Sequence, residues 1–254
     1  MKIVRVRMAG DEIAYGVVEP EGIRVHQGTP FVAWEPTETV LGFDDVHLLA
    51  PVFPTKVVCV GRNYVDHAIE RGVEVPDEPV IFLKPATAVI GPGAAIVLPS
   101  EAHEVHHEAE LAIVVGRVAR RVAAEDASGY ILGYTAANDV GARDLQKKDG
   151  QWTRAKGFDT FCPLGPAVET EIDPLGLRIT CSVNGELRQD ASTEDMVFGV
   201  AEIFAFVTRV MTLLPGDVVL TGTPAGVGPI RPGDRVEVEI ERIGSLLNPV
   251  VAGS

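Results

Sequence analysis

The segment HEVHHEAE combines the side chains that most often bind metal ions, and the apolar run LAIVVG follows it directly. Two kinds of site fit the segment. His103, Glu104 and His107 match the His-Glu-x-x-His motif of zinc proteases, in which a helix presents both histidines on one face. On a strand, Glu108 and Glu110 would instead point to one face, where carboxylates suit a harder cation such as Mg²⁺, Mn²⁺ or Ca²⁺. A Glu-x-Glu pair is also typical of an exposed strand face that binds nothing.

The residues after this segment favour the strand. The run 111–115 is rich in β-branched residues and ends at Gly116, and no third histidine follows. Glu125 is the only candidate for a third zinc ligand at a familiar separation. A strand leaves two interpretations of the carboxylate pair open, an exposed face that binds nothing and a site for a hard cation, and the pattern alone favours the exposed face.

A second group of polar residues lies in the stretch NDVGARDLQ. Asp139, Arg143 and Gln146 are spaced i, i+4 and i+7, so they share one face if the segment is helical from Asp139 onward. Asp139 would then be a third carboxylate ligand, and Arg143 a two-pronged donor for a substrate carboxylate. The alternative is an N-capping aspartate with an ordinary surface ion pair.

Two further segments contain candidate acid–base or charged groups. In YVDHAIERG, His67 and Glu70 are spaced i and i+3, so the carboxylate can orient the imidazole as a general base. In RAKGFDTFCPLGP, Lys156 lies in a Gly/Pro-rich loop, where its charge would face an oxyanion. A surface His–Glu pair and a solvated lysine are the alternatives. The loop TGTPAGVG lacks the Gly-Lys-Ser/Thr ending of a phosphate-binding loop.

The elements that must position these residues are mostly strands. Three alternating segments within 2–28 predict a small antiparallel meander, and the two prolines of LLAPVFPTKVVCVG indicate a domain boundary near residue 50. Further strand-like runs are KVVCVG, VIFLKP, AAIVLP and YILGYTAAND, and Asn184-Gly185 predicts a type I′ hairpin. One long helix is expected from about Thr193 to Leu214, capped by Ser192 and Asp195, with an apolar stripe that faces the core.

Composition excludes several classes of function. The 254 residues are 46% hydrophobic and 23% charged, which is ordinary for a globular protein, and no run approaches the roughly 20 apolar residues of a membrane span. The net charge of −14 disfavours a nucleic-acid partner. The N-terminus lacks a signal peptide, and the three widely spaced cysteines indicate neither disulfides nor a thiolate metal site, so we expect a cytoplasmic protein.

The order and wording of these segments resemble the fumarylacetoacetate hydrolase family, specifically its smaller members. The resemblance spans about residues 51–247 and rests on the stretches VGRNYVDHAIE, PVIFLKP, VHHEAELAIVVG, GYTAANDVGARDLQ, AKGFDTFCPLGP, VNGELRQ and LTGTPAGVGP. It implies an α+β, β-dominated fold: a mixed β-sheet roll over 51–254, preceded by a small antiparallel β domain over 1–50. It also implies a homodimer and a divalent cation, Mg²⁺ or Mn²⁺.

Carried over motif by motif, the resemblance assigns roles to residues already noted. It implies metal ligation by Glu108, Glu110 and Asp139. It implies a catalytic dyad of His67 and Glu70, on a mobile lid over 67–78. Lys156 would assist catalysis, and the substrate would contact Arg143, Gln146 and Thr223.

The implied activity is a metal-dependent reaction of 2-oxo dicarboxylic acids through a metal-stabilised enolate. A 2-hydroxyhepta-2,4-diene-1,7-dioate isomerase of the decarboxylase/isomerase type is the leading expectation, and an acylpyruvate hydrolase or an oxaloacetate decarboxylase is the alternative. The stretch KVVCVGRNY contains no acid where fumarylacetoacetase has an additional aspartate ligand, which disfavours fumarylacetoacetase activity itself. From other classes, the zinc protease through His103 and His107 and a non-catalytic scaffold remain alternatives.

Overall fold

The structure is a computed structural model and describes residues 1–70, 72 and 74–253. Strands dominate it. In chain order they are β1 (Lys2–Arg7), β2 (Ile13–Glu19), β3 (Gly22–Gly28), β4 (Trp34–Leu41), β5 (His47–Leu49), β6 (Val57–Gly61), β7 (Val80–Lys84), β8 (Val89–Ile90), β9 (Ile96–Leu98), β10 (Val105–His106), β11 (Ala109–Val115), β12 (Ile131–Asn138), β13 (Gly141–Ala142), β14 (Cys162–Glu169), β15 (Arg178–Val183), β16 (Glu186–Ser192), β17 (Val218–Leu220), β18 (Arg235–Ile240) and β19 (Gly244–Ala252). The α-helices are α1 (Val65–Glu70), α2 (Arg143–Asp149), α3 (Thr153–Lys156) and α4 (Val200–Val210), and none of the described helices is long and apolar enough to span a bilayer.

The main sheet has the strand order β4-β3-β2-β1-β14-β12-β11-β17-β6-β7, with β5 on β1 and β8 on β14. The predicted meander of β1, β2 and β3 is present, and β1 joins it to β14. The alternation of apolar and polar residues did not predict β4, which contains Pro36. The proline is tolerated because β4 lies at the edge of the sheet. The division of the chain near residue 50 stays a prediction.

A second sheet, of order β16-β15-β18-β19-β9, packs against the centre of the main sheet. β11 is buried along its whole length, because alternate side chains enter two cores. Leu111 and Ile113 pack with the second sheet, whereas Ala112 and Val114 pack on the other side. This double burial explains the continuous apolar run, and the mixed, β-dominated fold predicted from the sequence is confirmed.

The predicted hairpin is β15 and β16, joined by Asn184 and Gly185 with φ angles of 56° and 81°. Both residues therefore adopt the left-handed conformation that a type I′ turn requires. The hairpin contributes one residue, Gln189, whose buried side chain reaches the functional site described below.

The long helix predicted from Thr193 to Leu214 is wrong in extent. Ser192 and Asp195 do form the capping box, but the turn that they cap is a 3-10 turn over Thr193–Asp195, and α4 begins only at Val200. Asn63 explains the interruption: its Nδ2 donates to Phe198 O at 3.0 Å, and Phe198 N donates to its Oδ1 at 2.8 Å. This segment therefore pairs with the chain before α1 and cannot continue the helix.

The same contacts mean that Asn63 does not cap α1. The helix spans six residues, and Gly72, with a φ of +62°, follows its end. The expected mobile lid over 67–78 includes Arg71 and Val73, which lie outside the described residues, so its mobility stays a prediction.

Candidate active site

Three carboxylates lie together where β11 begins and the neighbouring strand β12 ends. β11 and β12 pair antiparallel with Ala109 opposite Asn138, so Glu108, before β11, lies beside Asp139, after β12. Glu110 on β11 completes the group, and one oxygen from each carboxylate lies within 4.8 Å of the others. All three side chains are buried, at most 5% exposed. The alternative of an exposed strand face is therefore wrong.

Three cationic side chains face this carboxylate trio. Lys156 Nζ donates to Glu108 Oε2 at 2.6 Å and to Asp139 Oδ2 at 2.7 Å. Arg143 donates to the other oxygen of Glu108. Lys84 Nζ donates to Asp139 Oδ1 at 2.5 Å, a contact that the sequence reasoning missed. Its only signal was a lysine at the end of the apolar run VIFLKP. Lys156 is 2% exposed, so it is not a solvated loop lysine.

The protein environment acts in opposite directions on the two glutamates. Burial raises the pKa of Glu110 well above its usual value, and the negative charges of Asp139 and Glu108 add to the effect. Burial also acts to raise the pKa of Glu108, but the positive charges of Arg143 and Lys156 outweigh it and hold that pKa below its usual range. A divalent cation among the three carboxylates would relieve the repulsion at Glu110. Oxygen donors of this kind fit Mg²⁺ or Mn²⁺.

The structure corrects the predicted position of Asp139. α2 begins at Arg143, and Asp139 lies before it in extended chain, with its N–H bonded to Glu108 O at 2.8 Å. The pairing of β13 with β10 holds the intervening residues out of the helix. The shared helical face therefore applies only to Arg143 and Gln146, whose side chains hydrogen-bond at 2.8 Å. The alternative of a surface N-cap is also wrong, because Asp139 is 1% exposed.

His67 and Glu70 lie on α1, with His67 Nδ1 3.2 Å from Glu70 Oε2. Because a carboxylate only accepts, Nδ1 carries the hydrogen and Nε2 keeps its lone pair. Burial lowers the pKa of His67, which favours the neutral imidazole. Gly226 N donates to Glu70 at 3.2 Å, and a Cβ on Gly226 would lie 2.0 Å from Arg188 O. Glycine is therefore required there, and it brings the loop close enough to fix the dyad.

Gln189 is a buried residue that the sequence reasoning did not select. Its Oε1 accepts from Ala109 N at 3.0 Å and lies 3.1 Å from His107 Nδ1. Its Nε2 donates to Thr223 Oγ1 and to Pro224 O, both at 2.8 Å. Thr223 therefore accepts from Gln189, and its own hydroxyl hydrogen is free to point elsewhere. The stretch NGELRQ provided only the hairpin signal.

The zinc-protease alternative is wrong. Its motif needs a helix, but residues 101–104 are irregular chain and β10 follows at Val105. His103 is exposed, whereas His107 is buried and lies 3.3 Å from Cys181 Sγ. The two histidines therefore do not converge on one site.

A cavity of about 170 Å³ brings together eight of the predicted site residues. They are His67, Glu108, Glu110, Asp139, Arg143, Gln146, Lys156 and Thr223. Glu70 does not line the cavity but contacts His67 Nδ1. The cavity thus combines a carboxylate trio, a hydrogen-bond donor set and a neutral imidazole, which is suited to binding an anionic ligand and moving a proton on it.

Comparison with known proteins identifies the family of the chain. Residues 56–251 match the family described as "Fumarylacetoacetate (FAA) hydrolase C-terminal", and residues 1–51 match the family described as "Rv2993c-like, N-terminal". An oxaloacetate tautomerase of Homo sapiens is 48% identical over 225 residues, which cover 84% of this chain and 72% of that protein.

Two solved structures from mycobacteria are also similar. A 5-carboxymethyl-2-hydroxymuconate delta-isomerase from Mycobacterium smegmatis has a TM-score of 0.93 and 47% identity, with 100% of both chains covered. A 2-hydroxyhepta-2,4-diene-1,7-dioate isomerase from Mycobacterium marinum has a TM-score of 0.93 and 48% identity, covering 100% of this chain and 99% of that one. The chain therefore belongs to the fumarylacetoacetate hydrolase family.

Proposed function

We propose that this protein is a divalent-metal-dependent enzyme that acts on 2-oxo dicarboxylic acids through an enolate, as a 2-hydroxyhepta-2,4-diene-1,7-dioate isomerase. The observation that carries the proposal is the buried carboxylate trio beside a neutral histidine in one cavity. The names of the relatives support it, because an isomerase and a tautomerase both move a proton on a carbon skeleton. A homodimer, as the family resemblance implies, belongs to the same proposal.

The charge of the site favours a dianionic substrate. The carboxylates of Glu108, Glu110 and Asp139 face the positive charges of Lys84, Lys156 and Arg143, so the formal charges balance. With a divalent cation bound, the site has a net positive charge that a dicarboxylate neutralises. A cation held by the trio would supply additional charge to stabilise the enolate.

The chain's own residues perform the proton transfer and orient the substrate. His67 Nε2 accepts the proton of the 2-hydroxyl group, the O–H electron pair stays in the resulting dienolate, and Glu70 stabilises the imidazolium. Return of the proton to carbon 5 of the dienolate forms the 2-oxo group and leaves one double bond, between carbons 3 and 4. Arg143 and Thr223 donate hydrogen bonds to substrate oxygens, and the Lys156 ammonium lies where the oxyanion develops.

The alternative is an acylpyruvate hydrolase or an oxaloacetate decarboxylase. The hydrogen-bonded His67–Glu70 pair favours the hydrolase, because an oriented imidazole also activates water. Decarboxylation uses the same enolate and needs no water.

A substrate panel tests the assignment. The purified protein with Mg²⁺ is given 2-hydroxyhepta-2,4-diene-1,7-dioate, oxaloacetate or acetylpyruvate, and isomer formation, CO₂ release and carbon–carbon cleavage are measured separately. We expect isomerisation of the dioate, lost in Glu110→Gln and His67→Gln. His103→Ala is the matched control, because His103 is exposed and outside the cavity, and it should retain activity.

Other outcomes would change the assignment. Cleavage of acetylpyruvate or CO₂ release from oxaloacetate, without isomerisation, would select the alternative enzyme. No reaction on any substrate with the metal bound would contradict the proposal, and no binding of a divalent cation by calorimetry would favour a scaffold.

A further inference from the structure

The cavity that contains the carboxylate trio opens next to a second and larger one. The second cavity has a volume of about 620 Å³. Three residues line both cavities and form their common wall: Arg62, Phe82 and Trp152. The first cavity, at about 170 Å³, is smaller than the roughly 300 Å³ at which ordinary ligand pockets begin. The two cavities therefore adjoin at these residues, and a ligand longer than the first cavity would extend along them into the second.

The second cavity differs from the first in its chemistry. Its described lining is largely apolar and includes Val80, Ile81, Leu83 and Met211. Arg62 is the only charged side chain among the described lining residues, and it is exposed at the junction of the two cavities. Such a surface suits a carbon chain that ends in one negative charge.

The junction is held rigidly by its neighbours. Arg62 follows the end of β6 and has a φ of +61°, and the next residue, Asn63, is fully buried. Asn63 Nδ2 donates to Thr221 O at 2.7 Å and to Phe198 O at 3.0 Å, so the backbone beside Arg62 is fixed on two sides.

The aromatic part of the wall is also fixed. Trp152 packs edge-on against Phe82 with ring centroids 5.0 Å apart. A Cβ on Gly61 would lie 3.0 Å from the Trp152 ring, so glycine allows this close approach. Lys156 Nζ lies 5.3 Å from the centroid of Phe82, which links the wall to the trio.

We propose that the second cavity is a subsite for the distal arm of the substrate, and that Arg62 binds its far carboxylate. This inference rests on the proposed function and narrows its substrate class to 2-oxo dicarboxylates longer than oxaloacetate, whose distal arm lies in the second cavity and whose far carboxylate meets Arg62 at the junction. A guanidinium binds a carboxylate through two parallel hydrogen bonds, so Arg62 distinguishes a distal carboxylate from a methyl group.

A matched pair of ligands tests the proposal. 2-Oxopimelate and 2-oxoheptanoate have the same length and the same 2-oxo acid head, and only the first has a distal carboxylate. Binding of each to the protein with Mg²⁺ is measured by calorimetry, with oxalate as a probe of the head site alone. We expect the wild type to bind 2-oxopimelate about five- to twenty-fold more tightly than 2-oxoheptanoate.

Variants separate a specific contact from general charge. Arg62→Gln should abolish the preference for 2-oxopimelate, and Arg62→Lys, which keeps the charge but loses the two-pronged geometry, should retain only part of it. Arg120→Gln is the matched control, because Arg120 is exposed and lines neither cavity, and it should keep the full preference.

The outcomes distinguish this inference from the proposed function. If oxalate does not bind in the presence of Mg²⁺, both fail. If oxalate binds but the wild type does not discriminate the pair, or Arg62→Gln still does, only the subsite is refuted. A second copy of the chain over the cavity would also refute it, and would be detected if Leu83→Asp, at a side chain 47% exposed, dissociated a dimer without changing the preference.

Discussion

The two glutamates of the trio should respond in opposite ways to the loss of their charge in metal-free protein. Glu110 has a raised pKa because of burial and the charges of Asp139 and Glu108. Like charges within 4.8 Å would repel by about 3 kcal/mol at an effective dielectric of about 20, and a carboxyl with a raised pKa avoids this repulsion by holding a proton, at a free-energy cost that glutamine does not have. Because the nearby cations cancel part of this, we expect Glu110→Gln to raise the free energy of unfolding in EDTA by about 1–2 kcal/mol. In a chain of 254 residues, this is an increase in Tm of about 2–8 °C.

Glu108→Gln should have the opposite effect. Lys156 and Arg143 both donate to Glu108, and all three side chains are buried. Breaking a buried ion pair from one side costs about 3–5 kcal/mol, and the amide oxygen recovers part of it, so we expect a loss of about 2–4 kcal/mol. The two variants are matched, since they make the same chemical change two residues apart.

Thermal unfolding in EDTA and in excess Mg²⁺ measures both effects. The wild type should gain about 2.7 kcal/mol at a Mg²⁺ concentration of 100 Kd, whereas neither variant should gain as much, because each lacks one ligand carboxylate. A Glu110→Gln protein less stable than the wild type in EDTA would refute the explanation that neighbouring charges act in opposite directions on Glu108 and Glu110. So would equal losses in the two variants.

Three further predictions concern residues around the site. Asn63→Ala should lower the free energy of unfolding by about 2–4 kcal/mol in urea, because it leaves the partly buried backbone groups of Phe198 and the buried carbonyl of Thr221 unpaired. An effect below about 1 kcal/mol would contradict this role. Gln189→Leu should cost a similar amount and also weaken substrate binding, since Thr223 loses its donor; unchanged stability and KM would contradict the network. Glu169 accepts from the N-terminal ammonium at 2.6 Å, and burial, which raises its pKa, is outweighed by this bond, so the pKa is lowered. The bond contributes under about 1 kcal/mol to the free energy of unfolding. This contribution is present above the unfolded pKa of about 4.3 and is lost as the pH falls through the folded pKa. Urea unfolding curves of the wild type and Glu169→Gln should therefore differ at pH 7 and converge in acid.

Local patterns in the sequence predicted the elements whose residues interact mainly with near neighbours. The Asn184–Gly185 turn, the buried run of β11 and the His67–Glu70 contact each follow from a short stretch with its own geometry. The resemblance to the family added the assignment of the carboxylate trio as a metal site. The spacing of the residues alone left open whether the carboxylates form a metal site or an exposed strand face.

Tertiary structure decided whatever depended on partners distant in the chain. α4 begins at Val200 after Gly199, whose N–H donates to Glu202, and Asn63 binds the backbone at Phe198; no property of the 193–214 stretch signals the contact with Asn63. Lys84 joins the trio only because it is buried beside Asp139, 55 residues later in the chain. Burial acts to raise the pKa of both Glu108 and Glu110, and the two shifts differ in direction because Arg143 and Lys156, on other elements, lie against Glu108. The sequence by itself thus determined which groups are available for chemistry, whereas only the fold decided their charges, their neighbours and the space for a ligand, because electrostatic and packing interactions depend on distance in space and not along the chain.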